Sequence, residues 1–245
     1  MEERNNKKRY KQYDVIVIAG TTEAREVIEE QLRENRTILA STATELGAQM
    51  LRSYPVDVHV GRLDEEEFLQ LFKDNPCKKV IDASHPFARV VTETARAAAR
   101  KAGIPFERHE REELTYAYEG VISVADAAKA AEVLNTMEGN VLLTTGVNTA
   151  AVYSAHVRDG RNRLYIRVLD TPASYEGCRK AGYPDDHVFG EMPPFTLEDN
   201  LRLIRRIDAK ALVTKDSGKT GGVDVKMEAC RQAGIPCVLI RRPAQ

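Results

Sequence analysis

The segment that most constrains the fold is residues 14–25, Asp-Val-Ile-Val-Ile-Ala-Gly-Thr-Thr-Glu-Ala-Arg. Residues 15–18 are apolar and β-branched, a pattern typical of a strand buried on both faces. Gly20 permits a tight turn, and Thr21 or Thr22 can cap a following helix. Such a turn directs backbone N–H groups and the positive end of a helix dipole at an anion. In a parallel α/β sheet it lies at the carboxyl edge of a strand, where ligands bind. Because the full GxGxxG fingerprint is absent, an ordinary capped helix fits this segment equally well.

Strand and helix patterns alternate along the chain, which predicts parallel sheets covered by helices. The predicted strands are 15–18, 37–41, 56–60, 79–83, 104–106, 121–124, 141–144, 163–169, 187–189, 211–214 and 234–240. Both halves close with a helix, a glycine and an Ile-Pro pair, at 103–105 and 234–236. We therefore predict an α/β protein with two Rossmann-like parallel-sheet domains, 13–110 and 111–245, an interdomain cleft, and a disordered tail over 1–12.

Composition argues against several functions. The formal net charge of the 245 residues is -1, so the chain is not built to neutralise nucleic-acid phosphates. Its apolar runs are too short to cross a bilayer, and its charged N-terminus lacks the apolar core of a signal peptide. The four cysteines form no CxxC pair. We expect free thiols in the cytoplasm, no metal site, and neither a nucleic-acid nor a membrane partner.

Residues 81–88, Ile-Asp-Ala-Ser-His-Pro-Phe-Ala, lie where the fourth strand ends and a helix begins. Ser84 or His85 is predicted to cap this helix, with Pro86 in its first turn. A simple cap with a packed Phe87 explains the pattern as well as a binding site does. In the functional interpretation, His85 donates to a carboxylate and Phe87 lies against a planar ligand.

Residues 213–222, Val-Thr-Lys-Asp-Ser-Gly-Lys-Thr-Gly-Gly, combine glycines, lysines and hydroxyls between a strand and a helix. Glycines let the backbone approach a ligand, and the lysines add positive charge, so this loop is predicted to bind an anion. The Walker pattern is absent, which argues against an NTPase. The turn at 145–146 repeats the signal more weakly. Arg167, at a strand end, can clamp a carboxylate or pair with a surface acid.

Together these segments resemble the precorrin-6A reductase family of cobalamin biosynthesis. The matching positions are 20–25, 81–88, 143–146, 167–169, 194–195, Asn200, 215–222, Lys226, 234–236, Arg242 and Pro243. Ala19 and Pro193 stand where that family usually has glycine. The resemblance implies two Rossmann-like domains, with a reduced nicotinamide cofactor and a tetrapyrrole in the cleft between them. It also implies reduction of one macrocycle double bond of precorrin-6A or its cobalt form.

The residues and the resemblance together give a predicted site. Predicted cofactor-binding residues are Gly20, Thr21, Thr22, Glu23, Arg25, Ser41 and Thr42. Predicted substrate-binding residues are His85, Phe87, Thr145, Gly146, Arg167, Lys215, Ser217, Gly218, Lys219, Gly221 and Gly222. His85 is also the candidate proton donor. The second strand ends in hydroxyls that tolerate a 2′-phosphate, with no acid for a ribose, so NADPH is favoured over NADH.

Two other functions remain open from the sequence. A tetrapyrrole methyltransferase of the same pathway also has two α/β domains, although the glycine-rich signatures of that family are not evident here. A non-enzymatic dinucleotide sensor is the second alternative. It would not need an anion-binding loop in the second half, whereas residues 215–222 provide one.

Overall fold

A computed structural model describes residues 11–109, 118–218 and 221–242 of the chain. The chain divides into two compact units, Met1–Arg111 and Glu112–Gln245, and each contains one parallel sheet. The predicted tail lies outside the described residues, except for its last two positions.

The N-terminal unit contains five parallel strands in the order β3-β2-β1-β4-β5. The strands are β1 (Tyr13–Ile18), β2 (Ile38–Thr42), β3 (Asp57–Val60), β4 (Cys77–Asp82) and β5 (Phe106–Arg108). The helices are α1 (Thr22–Arg33), α2 (Glu45–Gln49), α3 (Glu65–Asp74) and α4 (Arg89–Ala102). The sheet grows outwards from β1 and β4, so the topological switch point lies between these two strands.

Strand β1 is buried on both faces, as its run of β-branched residues predicts. Val15 and Val17 pack in one cluster with Val27 and other residues of α1. Ile16 belongs to a second cluster, which includes Phe68 from α3 and alanines of α4. Helices on both faces therefore fix the position of the turn that follows β1.

The C-terminal unit contains six parallel strands in the order β6-β11-β10-β7-β8-β9. The strands are β6 (Val121–Val124), β7 (Asn140–Leu143), β8 (Leu164–Val168), β9 (Val188–Gly190), β10 (Ala209–Lys215) and β11 (Cys237–Ile240). The helices are α5 (Ala127–Leu134), α6 (Ala150–His156), α7 (Gly160–Arg163), α8 (Pro172–Lys180), α9 (Leu197–Arg206) and α10 (Val223–Ala233). Here the switch point lies between β7 and β10.

The predicted cap of α4 is wrong. The helix begins at Arg89 after Ala88, without a side-chain cap, so neither Ser84 nor His85 caps it and Pro86 precedes it. The physical reason is that the backbone N–H of Ser84 donates to Asp82 Oδ1 at 2.9 Å, which ties this residue to the end of β4.

Two short helices, α6 and α7, were not predicted. The sequence analysis placed no helix between Gly146 and the next strand. Across the described residues, no helix has both the length and the apolarity needed to span a membrane.

Candidate functional site

The turn after β1 lies at the switch point of the N-terminal sheet. Gly20 has a φ of +116°, and a Cβ added there would meet nothing within 4 Å. Thr21 is the N-cap of α1, and its hydroxyl accepts from the N–H of Ala24 at 3.1 Å. The backbone N–H groups of Gly20, Thr21 and Thr22 have no acceptor within the described residues. They are therefore available to an anion that approaches the open turn.

The side chains of the first turn of α1 face different environments. Arg25 Nη2 donates to Thr22 Oγ1 at 3.2 Å, which holds the guanidinium along the helix start. Arg25 Nε is buried and has no hydrogen-bond partner among the described residues. Glu23 is buried beneath the helix start. The turn therefore offers backbone N–H groups and one guanidinium rather than a carboxylate.

The end of β2 carries the predicted ribose-side hydroxyls. Ser41 and Thr42 are both buried. Thr42 Oγ1 donates to the carbonyl of Thr44 at 3.2 Å, and Thr44 in turn caps α2 through the N–H of Gly47. The exposed hydroxyl at this edge is therefore that of Thr44, which sequence analysis left out of the site.

A buried ion pair supports the segment after β4. Arg108 Nη1 lies 2.6 Å from Asp82 Oδ2, and both side chains are buried. Arg108 Nη1 also donates to Ser84 Oγ at 2.9 Å and to Thr92 Oγ1 at 3.0 Å. Sequence analysis missed this cluster because Asp82 and Arg108 are distant along the chain. They meet through the pairing of β4 with β5, where they are partners in register.

His85 contacts Arg108 of this ion pair through its backbone carbonyl. Its Nδ1 accepts from the N–H of Phe87 at 3.2 Å, and its carbonyl accepts from Arg108 Nη2 at 3.4 Å. Because Nδ1 accepts, the proton of the neutral imidazole lies on Nε2. The His85 and Phe87 ring centroids are 5.9 Å apart, at an interplanar angle of 44°.

One hydrogen bond joins the β1 turn to the β4 segment. Thr21 Oγ1 donates to the carbonyl of Ala83 at 2.8 Å, and the N–H of Ala83 donates to the carbonyl of Ile18 at 3.0 Å. The structure therefore brings the predicted cofactor turn and His85 together at one switch point.

The C-terminal switch point is lined by the loops after β7 and β10. Thr144 donates to the carbonyl of Val213 through both its N–H and its hydroxyl, at 2.9 and 2.8 Å. Thr145 is buried, and its Oγ1 accepts from Thr149 Oγ1 at 3.0 Å. Gly146 follows with a φ of +77°. The predicted Thr145–Gly146 turn thus directly follows the residue that joins β7 to β10.

The β10 loop depends on glycine for its conformation. Gly218 and Gly222 have φ values of +73° and +66°, in the left-handed region that favours glycine. Gly222 is the N-cap of α10, which therefore has no side-chain cap. Gly221 donates its N–H to the carbonyl of Gly218 at 3.1 Å. Lys219 lies outside the described residues.

At the start of the same loop, burial lowers the pKa of Lys215. Ser217 is buried, and its N–H donates to the carbonyl of Lys215 at 2.7 Å. Arg242 Nε donates to the carbonyl of Asp216 at 3.1 Å and so ties the loop to the chain after β11.

Arg167, on β8, is only 4% exposed. Its Nη2 donates to Asn200 Oδ1 at 3.0 Å, and its Cζ lies 3.8 Å from the ring centroid of Phe195. Glu191 Oε2 lies 4.0 Å from Nη1, which is too long for a hydrogen bond. Burial lowers the pKa of Arg167 to about 10.

Lys226, on the second turn of α10, is a buried cation that sequence analysis did not place in the site. It is 7% exposed, and its Nζ donates to the carbonyl of Gly221 at 2.9 Å. Burial, and secondly the charge of Arg167, lower the pKa of Lys226 to about 8. In the sequence, Lys226 could have been recognised because it is one of the positions that match the family resemblance.

Metal chemistry has no visible support in the part of the chain that the structure describes. There, no group of three His, Cys, Asp or Glu side chains is placed to hold a metal ion.

Each unit thus has one parallel sheet with a switch point between two central strands, which defines a Rossmann-like α/β protein. Among families of known proteins, residues 14–245 match the one described as "Precorrin-6x reductase CbiJ/CobK", and the chain belongs to this family. It is therefore an oxidoreductase of cobalamin biosynthesis that uses a nicotinamide cofactor and acts on a CH–CH bond.

Individual relatives agree with the family. The chain is 32% identical to a cobalt-precorrin-6A reductase of Priestia megaterium, over 94% of this chain and 90% of the relative. It is 36% identical to the enzyme of that name from Methanothermobacter thermautotrophicus, over 94% and 76% of the two chains. A solved structure named CobK precorrin-6A reductase matches with a TM-score of 0.76 at 24% identity, over 94% of this chain and 88% of that chain. This structural match supports the fold.

Proposed function

We propose that this protein reduces one macrocycle double bond of a precorrin-6A-type tetrapyrrole with NADPH. The observation that carries the proposal is the Thr21–Ala83 hydrogen bond, since it places a nucleotide-type turn beside the His85 segment. The relatives named cobalt-precorrin-6A reductase favour the cobalt form of the substrate.

We assign the cofactor to the N-terminal unit. The uncapped N–H groups of residues 20–22 bind the pyrophosphate, and a bound reduced nicotinamide supplies the hydride. Arg25, with the hydroxyls at the end of β2, accommodates a 2′-phosphate. No carboxylate stands among residues 38–44 to repel this group. The preference for NADPH is checked by comparing kcat/KM for NADPH and NADH, and a higher value with NADH overturns it.

We assign the carboxylate side chains of the tetrapyrrole to the C-terminal unit. The residues proposed to bind them are Thr145, Gly146, Arg167, Lys215, Ser217, Gly218, Lys219, Gly221 and Gly222. Buried cations and glycine-rich backbone suit carboxylates because both provide donors in a site with little water. Phe87 is proposed to lie against the macrocycle.

His85 is proposed as a hydrogen-bond donor to the substrate and as the source of the proton that follows the hydride. The support is its tautomer, because Nδ1 is occupied by the N–H of Phe87 and Nε2 carries the proton. His85→Ala is expected to lower kcat and flatten the pH–rate profile. An unchanged profile assigns the proton to water instead.

The test of the overall proposal is consumption of NADPH by the pure protein. Absorbance of the reduced nicotinamide is followed after addition of precorrin-6A or of cobalt-precorrin-6A, each in a separate reaction. Oxidation that requires the tetrapyrrole supports the enzyme, whereas binding of NADPH without turnover supports a sensor. Binding of S-adenosylmethionine in place of NADPH supports the methyltransferase alternative.

We also propose a cytoplasmic location. Cys77, Cys178, Cys230 and Cys237 are all free thiols, as is usual in a reducing compartment.

A further inference from the structure

Two buried cations in the described part of the C-terminal unit, Arg167 and Lys226, are only partly compensated by acidic side chains. Arg167 and Lys226 interact electrostatically, and both are more than nine-tenths buried. Burying one charge is unfavourable unless it is paired, and two like charges in one place are more so. Among the described residues, the acidic side chains around these two cations therefore offset only part of this cost.

The carboxylates around Arg167 leave it incompletely paired. Glu191 is 4.0 Å from Nη1 and is engaged by Arg202, whose Nη2 lies 2.6 Å from Glu191 Oε1. The further charges that act on Arg167 are those of Asp199 and Arg202. Within the described residues, Nη1 has no hydrogen-bond partner. One edge of the guanidinium therefore keeps a donor for a ligand.

Among the described residues, the surroundings of Lys226 are also short of negative charge. The charges that act on it are those of Arg167 from β8, Cys237 from β11 and Asp224 from its own helix. Asp224 is exposed, and Lys226 Nζ donates to the neutral carbonyl of Gly221. A charged ammonium with one neutral acceptor retains two donors.

Other contacts fix Arg167 in place. Phe195 covers one face of the guanidinium, and Asn200 accepts from Nη2. The side chain is therefore pre-organised, with its position set before any ligand arrives, which lowers the cost of binding. Nearby, α10 begins at a glycine without a side-chain cap, so its N-terminal dipole favours negative charge as well.

We propose that Arg167 and Lys226 together bind one oxyanion group, a carboxylate or a phosphate, at the carboxyl edge of the C-terminal sheet. The inference rests on the proposed function only in naming a tetrapyrrole carboxylate as the expected source of this group. Lys226 thereby becomes a binding residue beside Arg167 rather than a residue of the core.

The test measures binding without turnover. Inorganic phosphate, uroporphyrin and NADP⁺ are titrated by calorimetry into the wild-type protein and into Lys226→Met and Arg167→Lys. Uroporphyrin is a carboxylate-rich tetrapyrrole without phosphate, and NADP⁺ carries phosphates without carboxylates. Lys210→Met is the matched control, because it removes a cation of the same unit that pairs with Asp208 at the surface.

Loss of one charged hydrogen bond is expected to weaken binding by roughly 10- to 100-fold. Weaker phosphate and uroporphyrin binding with unchanged NADP⁺ binding confirms the site and its tetrapyrrole source. Weaker phosphate and NADP⁺ binding with unchanged uroporphyrin binding confirms the site and assigns it to the cofactor. If Lys226→Met binds all three probes like Lys210→Met, the proposal is overturned, whatever the activity assay shows.

A pH titration separates a binding role from a packing role. Since the pKa of Lys226 is lowered to about 8, its charge is lost above that pH, and wild-type affinity for phosphate is expected to fall between pH 7 and pH 9. Lys226→Arg keeps its charge and is expected to lose this decline. A decline that persists unchanged in Lys226→Arg contradicts the proposal.

Discussion

The two switch points use buried cations in opposite ways. In the N-terminal unit, Arg108 is paired with Asp82 at 2.6 Å and donates to two hydroxyls. In the described part of the C-terminal unit, Arg167 Nη1 has no hydrogen-bond partner, and Lys226 Nζ donates to one neutral carbonyl. The first arrangement satisfies its own charges and serves as a support. The second leaves charge unsatisfied, as a site for an anionic ligand does before the ligand binds.

This difference shows that burial alone does not reveal the role of a cation. Arg108 and Arg167 are both buried arginines near the carboxyl edge of a parallel sheet. They differ in the hydrogen-bond acceptors and carboxylates that lie around each guanidinium. Replacing each kind of buried cation with methionine is the direct test, because the two units are expected to respond with opposite signs.

The largest expected effect is from Arg108→Met. This change leaves Asp82 as an unpaired buried charge, which costs ~3–5 kcal/mol in the free energy of unfolding. Urea denaturation measures the loss. Lys79→Met is the control, since Lys79 pairs with an exposed Glu107, and it is expected to cost no more than ~1 kcal/mol. Equal losses in the two variants contradict a supporting role for the buried pair.

Lys226→Met is expected to change stability in the other direction. The pKa of Lys226 is lowered from 10.5 to about 8, so the unfolded chain binds more protons between these values. The burial penalty is complete below pH 8 and is relieved as the pH rises to 10.5. Removing the charge is therefore expected to raise the free energy of unfolding of the ligand-free protein by ~3 kcal/mol at pH 7.

The same denaturation experiment, repeated at pH 10.5, checks this sign. There the advantage of Lys226→Met is expected to shrink towards zero, because wild-type Lys226 is then neutral in the folded state and about half neutral in the unfolded chain. If Lys226→Met is less stable than the wild type at pH 7, Lys226 stabilises the fold through packing.

The smallest expected effect is from Thr21→Ala, which removes the cap of α1 and the bond to Ala83. The expected loss is ~1 kcal/mol of stability, with weaker NADPH binding. Thr196→Ala removes the capping box of α9 and provides a matched control. A similar stability loss with unchanged NADPH binding is expected in that control, and equal NADPH affinity in both variants contradicts a cofactor role for the β1 turn.

Local chemistry made part of this structure predictable. The β-branched run of β1 and the cap at Thr21 depend on neighbours in sequence, and both were recognised. The cap of α4 was not, because the hydrogen bond from Ser84 to Asp82 competes with a cap and no pattern in 81–88 favours one over the other. Arg108 and Lys226 were missed as site residues because their roles depend on which groups lie opposite them, across strands or between helix and sheet.

The register of β4 with β5 has a consequence for how the molecule matures. Asp82 acquires its counter-charge from Arg108, a residue of the outermost strand of its sheet. A nascent chain with only its first four strands assembled holds a lone carboxylate under the His85 segment. The hydrogen bonds from Arg108 that hold the segment after β4 therefore form only once the edge strand has docked.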